Sequence, residues 1–246
     1  MRFLLPPSET KAPGGNGPPL DLDLLAFPTL TAIRLEIVTA LSDLAADPER
    51  ARAVLGISSR QDEEIARNRI LKTSATRPAI ERYSGVLYEA LGAETLPRRA
   101  RTRAARTVVI TSALFGALGA DDPIPAYRLS GTADLPNVGK LSRRWRPDLA
   151  GVLASQAPVI DLRSAAYVAL APLPTAIRVR VIDRDGRSIS HHNKAAKGRL
   201  VHAFLQCPRQ PRRIDDLATA AAGHGLHLHR LGPTEIELRW NDGALS

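Results

Sequence analysis

The stretch TVVITSALFGAL, Thr107–Leu118, begins with an unbroken run rich in β-branched residues. A run of this kind, without polar alternation, reads as a strand buried on both faces. Beyond Ser112 the pattern turns over into a loop or short helix. PVIDLRSAAY, Pro158–Tyr167, is a second short, β-branched run that also ends in polar residues. RFLL, Arg2–Leu5, is a third buried strand, stopped by Pro6 and Pro7. The polar, Gly/Pro-rich loop SETKAPGGNGPP follows it, and its first part sits at a strand end, where binding sites often lie.

Working outward, the spacing predicts helices around these strands. Leu30, Ile33, Ile37, Leu41 and Leu44 fall at steps of three and four within residues 28–46. Asp47 caps a second helix with Pro48 at its first position, running to Leu55. Ser58 and Gln61 then form a capping-box pattern for a third helix. Helix, LGIS, helix resembles a helix-hairpin-helix, which holds phosphates on backbone N–H groups, although two helices joined by a Gly turn are also a common packing unit. Tyr83, Leu87 and Leu91 share a helical spacing, with Gly85 allowing close approach. RRARTRAAR, 98–106, is a charge run of the sort that forms a solvated helix face. GKLSRRWRPDLAGVLASQ reads as a basic amphipathic helix in which Trp145 is an anchor or a base-stacking ring. A hairpin is expected over Thr175–Ser190, turning at Asp185-Gly186, then a helix from Asn193 to about Leu205. A helix, a turn at Gly223–Gly225 and two strands close the chain.

The chain has 246 residues and a formal charge of +9. Such an excess of base points to a polyanionic partner, nucleic acid above all, or to an Arg-rich composition with a solvated surface. The single cysteine, Cys207, excludes a disulfide framework and a Cys-based zinc cage. No apolar run approaches the roughly 18 to 20 residues of a membrane span, and the start reads as no signal peptide, so a cytoplasmic location without membrane contact is expected.

The segment ISHHNKAAKGRL, Ile189–Leu200, carries two of the five lysines: Lys11, Lys72, Lys140, Lys194 and Lys197. Asn193 is the expected N-cap, and Lys194 and Lys197 share one helix face. Two cations in a first turn oppose the helix dipole, which an anion bound there would explain; a solvated, slightly frustrated helix start is the alternative. Gly198 is poor for a helix interior and permits close approach by another segment or a phosphate. His191 and His192 point apart in an extended chain, and His227 with His229 lacks an acidic partner, so no metal and no cofactor are expected.

LLPPSETK, RYSGVLYEAL, TSALFGALGADDPIPAYRLS, RWRPDL, VIDLRSAAY and ISHHNKAAKGRLVHAFL together resemble the peroxide stress protein YaaA family, in the family's order. The resemblance implies one α+β domain over residues 1–246: a compact mixed sheet with surrounding helices, a helix-hairpin-helix-like element and a basic cleft. It also implies duplex DNA binding and a cytoplasmic role in limiting peroxide damage. Lys11 falls on the lysine of the family's N-terminal loop, and Lys194, Lys197 and Gly198 on its lysine-rich motif. Tyr127 and Arg128 fall on the Tyr-Arg-Leu segment, Asp161 and Ser164 on the second strand end. The chain departs from better-known members in its Pro-rich APGGNGPP, in Asp161 and Arg163, and in HHNK.

The expected nucleic-acid contacts are Lys11, Gly56, Ser58, Arg128, Arg163, Lys194, Lys197 and Arg199, with a monomer favoured. An enzyme acting on a nucleotide, nucleobase or damaged DNA is the alternative, with Lys11, Tyr127 and Asp161 as candidate catalytic groups and Glu9 as a further acid–base group. Lys11, Lys194 and Lys197 are expected to line one anion site, with Asp161 and Glu9 as counter-charges.

Overall fold

The computed structural model describes residues 1–183, 185–187 and 192–240. In chain order, β1 (Arg2–Leu5) leads through a long loop to α1 (Thr31–Leu44), α2 (Pro48–Leu55) and α3 (Asp62–Arg69). A short strand β2 (Arg77–Pro78), the short helices α4 (Ala79–Arg82) and α5 (Val86–Leu91), and α6 (Arg98–Thr107) follow. β3 (Val108–Ser112) turns into β4 (Gly116–Gly119); the two-residue strands β5 (Pro123–Ile124), β6 (Asp134–Leu135) and β7 (Gly139–Lys140) precede α7 (Leu141–Ala154). Then come β8 (Val159–Asp161), α8 (Ala165–Val168), β9 (Ile177–Ile182), α9 (Asn193–Gln206), α10 (Ile214–Ala222), β10 (His227–Arg230) and β11 (Glu235–Arg239).

The expected buried strands are the middle of one sheet, ordered β10-β11-β9-β8-β1-β3-β4. β1 pairs in parallel with both β3 and β8, and β8–β9–β11 continue in parallel. Only the two edges, β3–β4 and β10–β11, are antiparallel. The protein is therefore a mixed α/β structure with a mostly parallel sheet and helices around it. Strands covered on both faces need no polar alternation, which is why VVITS is buried throughout. From β1 the chain crosses to β3 on one side and later fills β8 on the other. That change of direction leaves a crevice at the carboxyl ends of β1 and its neighbours, where ligands bind in open α/β sheets.

Several local expectations hold. Asp47 accepts a hydrogen bond from the Arg50 N–H, and Ser58 with Gln61 forms the capping box. Trp145 is fully buried and donates from Nε1 to the Ala113 carbonyl at 2.8 Å, so it is an anchor. Others are corrected. Past Ser112 the chain makes a second strand, β4, and no helix: the Ser112 hydroxyl accepts the Leu114 and Phe115 N–H groups, which closes a tight reversal at Gly116. Gly116 has φ +73°, and a Cβ there would lie 2.7 Å from the Trp145 ring. Tyr83 does not share a helix with Leu87 and Leu91, because the chain is extended at Tyr83 and Gly85 takes φ +98°. PVIDLRSAAY stops being a strand at Asp161, whose carboxylate accepts the Arg163 N–H and bends the chain into α8. Asn193 lies inside α9; His192 precedes it and gives no side-chain cap. The return strand expected over Ser188–Ser190, and His191, lie outside the described residues.

The arginine run on α6 is only partly a solvated face. Arg103 is buried and donates to the carbonyls of Phe204, Leu205 and Cys207 at the end of α9, while Arg101 pairs with Glu81 and Asp121. At the other end of α9, Gly198 makes its close approach to α5. A Cβ at Gly198 would sit 2.1 Å from the Leu87 carbonyl oxygen and 2.9 Å from Ala90 Cβ. No helix among the described residues is long and apolar enough to cross a membrane.

Backbone cannot yield as a flexible side chain does, so Gly198→Ala forces α5 and α9 apart. Despite the better helix propensity of Ala, we expect a loss of about 1–3 kcal/mol, the usual range for overpacking. Thermal or urea unfolding measures it, and an unchanged or raised midpoint would refute the packing argument.

Candidate functional site

Pro6 and Pro7 end β1, and the chain then runs over the carboxyl edge of the sheet. The Tyr88 hydroxyl donates to the Pro6 carbonyl at 2.7 Å, and Gly85 lies close enough to Ser8 that a Cβ would be 3.1 Å from its hydroxyl. Lys11 is held by an antiparallel bridge to Tyr83, flanked by hydrogen bonds between Ser84 N–H and the Thr10 carbonyl and between Ala12 N–H and the Arg82 carbonyl. The Arg82 guanidinium reaches under this loop to the carbonyls of Ala12, Ala75 and Ile124.

These supports bury Lys11, which is 5% exposed. Its ammonium donates to the Glu9 carbonyl at 3.0 Å and lies 4.3 Å from the Tyr127 ring centroid and 5.8 Å from that of Tyr83. No carboxylate among the described residues makes an ion pair with it; the Glu9 carboxylate turns outward to Arg128 at 3.0 Å. Burial, with the nearby Arg128 charge, brings the Lys11 pKa down from 10.5 to about 7, against the opposing pull of Glu64 and Glu9. The ring faces favour the ammonium form, but a ring quadrupole is weaker than lost hydration at a site this dry.

Below the amine the Tyr127 hydroxyl lies 2.7 Å from both the Tyr83 hydroxyl and the Ser112 hydroxyl. Ser112 already accepts two backbone N–H groups, which occupies both of its lone pairs. Ser112 must therefore donate to Tyr127, and the Tyr127 and Tyr83 hydroxyls share the next hydrogen bond of the row. Burial raises the pKa of Tyr83 and Tyr127 far above the ordinary phenol value, so both act as donors rather than bases.

A second cluster forms where the carboxyl end of β8 lies beside the start of β9. Asp161 holds Arg163 through Nε at 2.9 Å and Nη2 at 2.8 Å, both side chains buried. Arg163 also donates to the carbonyls of Tyr167 and Ala171. Lys197 donates to the Leu162 carbonyl at 3.3 Å, and its burial lowers its pKa while Asp161 pulls the other way.

The expected residues thus separate into groups. Lys11, Tyr127, Arg128 and Glu9 come together; Asp161, Arg163 and Lys197 form the second cluster. No hydrogen bond or ion pair among the described residues joins the two. Lys194 is exposed at the start of α9, and Arg199 is half-buried with its guanidinium 5.1 Å from the Trp240 ring centroid. Gly56 and Ser58 are exposed on the α2–α3 turn. Of the counter-charges, Glu9 serves Lys11 through its carbonyl, and Asp161 is engaged first by Arg163. Sequence reasoning missed Tyr83 and Ser112. The signal available was that a buried tyrosine hydroxyl needs a partner in a chain with only four tyrosines.

A family model described as peroxide stress protein YaaA matches residues 1–229. The chain belongs to this family. It is 44% identical over 235 residues to a UPF0246 protein of Corynebacterium efficiens, covering 92% of this chain and 94% of that one. A UPF0246 protein of Corynebacterium glutamicum is 43% identical over the same shares, and one of Streptomyces coelicolor 40% identical over 98% and 96%. The resemblance drawn from six short segments is thereby borne out.

The dry lysine has a measurable consequence. Between about 7, its folded pKa, and 10.5, the unfolded chain holds a proton that the folded chain has released. Stability therefore rises with pH across that window, and the full penalty of burying the charge is felt below it. Lys11→Met removes this dependence. The melting temperature of the native chain minus that of Lys11→Met should climb between about pH 6 and pH 10. A difference that stays flat would show that Lys11 is solvated.

Proposed function

We propose that this YaaA-family protein acts in the peroxide stress response by binding duplex DNA, largely through phosphate contacts. The observation that carries the reading is the α2–α3 hairpin. Gly56 is exposed at φ +62° with open space where a Cβ would stand, and exposed Ser58 follows it at the start of the next helical turn. The Gly56 and Ile57 N–H groups bond the Arg52 carbonyl and the Ser58 N–H the Gln61 side chain, so the groups offered to a phosphate are the N–H groups of the first helical residues, Ser59 and Arg60, in the manner of a helix-hairpin-helix. The net charge of +9 supplies the non-specific attraction. The first turn of α3 is acidic, but Asp62 is tied to Arg52, and Glu63 and Glu64 to Arg67. Binding at the hairpin therefore depends on its backbone, and the wider surface contributes the charge. The protein would act in the cytoplasm, and no catalytic step is needed for protection of this kind.

A second reading, an enzyme acting on a nucleotide, nucleobase or damaged DNA, is favoured by one observation: the Lys11 amine, its pKa brought down to about 7, sits above hydrogen-bonded phenols. Such a group suits proton transfer or nucleophilic attack. Turnover of a modified base or nucleotide that is lost in Lys11→Arg and Tyr127→Phe would favour this reading over simple binding.

Duplex affinity measured across a salt series tests the first reading. Log K should fall with log salt by about 0.9 for each phosphate neutralised. Gly56→Asn keeps a residue that tolerates left-handed backbone, so folding should change by only a few tenths of a kcal/mol up to about 1. It places a side chain where the phosphate would approach, and affinity should drop severalfold. Salt-independent binding, or no binding at low salt, would sink the proposal; an unaffected Gly56→Asn would remove the hairpin from it.

A further inference from the structure

A cavity of about 400 Å³ opens between β8, α8, β9 and α9. Its charged lining is Asp161, Arg163, Arg178 and Lys197, and Val168 and Val179 contribute to its apolar wall. Asp161 and Arg178 are register neighbours on β8 and β9. Three cationic side chains here share one carboxylate, and that carboxylate is already committed to Arg163 by two side-chain hydrogen bonds. Lys197 has three donors and, among the described residues, makes a single long hydrogen bond, to the Leu162 carbonyl. Arg178 is exposed and makes no ion pair within the described residues, although Glu235 is its register neighbour on β11. The pocket thus holds an excess of positive charge with unused donors, beside an apolar wall.

We propose that this pocket binds a small organic anion, with its phosphate or carboxylate head on Lys197 and Arg178 and its apolar or planar body against Val168 and Val179. The volume lies within the range of small-molecule sites, and a few placed polar groups on an apolar wall is the usual make-up of such sites. It is also at the carboxyl end of the parallel strand β8, over the start of β9, and α/β sheets receive ligands at such strand ends. Lys197 is the central contact because it is recessed, with its ammonium short of hydration and its pKa lowered by that burial. An arriving anion restores the missing partner, so the ammonium is worth more to a ligand here than at the surface. The Asp161–Arg163 pair fixes the floor. This role differs from duplex binding, since the recess accommodates one compact molecule rather than a backbone running across a surface.

The experiment is calorimetric titration of the full-length protein with three probes: inorganic phosphate, phenyl phosphate and benzoate. Phenyl phosphate should bind saturably and about tenfold more tightly than inorganic phosphate, reflecting burial of its ring. Whether benzoate or phenyl phosphate binds more tightly decides between a carboxylate and a phosphate head. Lys197→Met keeps the apolar stem and should weaken binding by about tenfold or more, as loss of a charge-assisted hydrogen bond does. Arg178→Gln, at an exposed position that leaves the fold undisturbed, should weaken it severalfold. Saturating phenyl phosphate should leave duplex affinity unchanged. The absence of saturable binding, equal affinity in Arg178→Gln, or displacement of duplex by phenyl phosphate would each overturn the proposal, the last by making the pocket a seat for the DNA backbone. Failure of duplex binding itself would leave these calorimetric results standing.

Discussion

The Arg82 guanidinium is fully buried and spends its donors on three backbone carbonyls, those of Ala12, Ala75 and Ile124. These belong to the loop after β1, the segment before β2 and the strand β5. No carboxylate among the described residues pairs with it; burial brings its pKa down only to about 10, so the charge persists at neutral pH. A buried cation without such acceptors would be strongly destabilising, and the three carbonyls, being loop groups, would be equally costly if left unpaired. Each side of the interaction requires the other. The result is a loop stitched to the 82–84 segment in one register, which is what places Lys11 over Tyr127.

The same edge of the sheet then acquires two chemically distinct neighbourhoods. Beyond β1 and β3, aromatic rings dry the Lys11 amine and a hydrogen-bonded row of hydroxyls underlies it. Beyond β8, beside the start of β9, the amine of Lys197 is recessed next to an internally satisfied Asp161–Arg163 pair. β1 lies between β3 and β8, so both neighbourhoods follow from a single topological fact, the reversal of strand order at β1. Gly198 contributes from a distance, because the contact of α9 with α5 sets where the first turns of α9, and with them Lys197, stand relative to β8.

Much of this frame is legible in the sequence. Unalternating β-branched runs mark the inner strands, Asp47 and the Ser58–Gln61 pair mark helix starts, and the six ordered segments mark the family. What is not legible depends on tertiary partners. Nothing local announces that Arg34, Arg82 and Arg103 are buried donors to distant carbonyls, since in sequence they look like the arginines of any basic chain. Tyr83 sits at helical spacing from Leu87, and the extended backbone at Tyr83 with the positive φ at Gly85 breaks that helix. The β4 strand is hidden for a related reason: its turn depends on the Ser112 hydroxyl and on Trp145, which arrives from α7. Residue type and loop position single out Lys11, but its dryness comes from rings that lie far along the chain.

The distribution of basic residues carries a last consequence. Arg34 gives its guanidinium to the carbonyls of Phe115, Ala26 and Ala117, Arg82 and Arg103 each hold three more, and Arg163 binds a carboxylate and two carbonyls. These are structural cross-links, and they suit a planar fork that stays charged when buried. Lysine is a poor substitute there, because its ammonium is a point charge that sheds its proton as it is dried. That weakness becomes the useful property at Lys11 and Lys197, where burial moves the pKa downward and leaves the amine short of partners. A chain that uses arginine for nearly all its positive charge has two lysines at the carboxyl edge of its sheet in settings that an arginine could not reproduce. Their positions follow from the need for a cation whose charge and hydrogen bonds remain open to change.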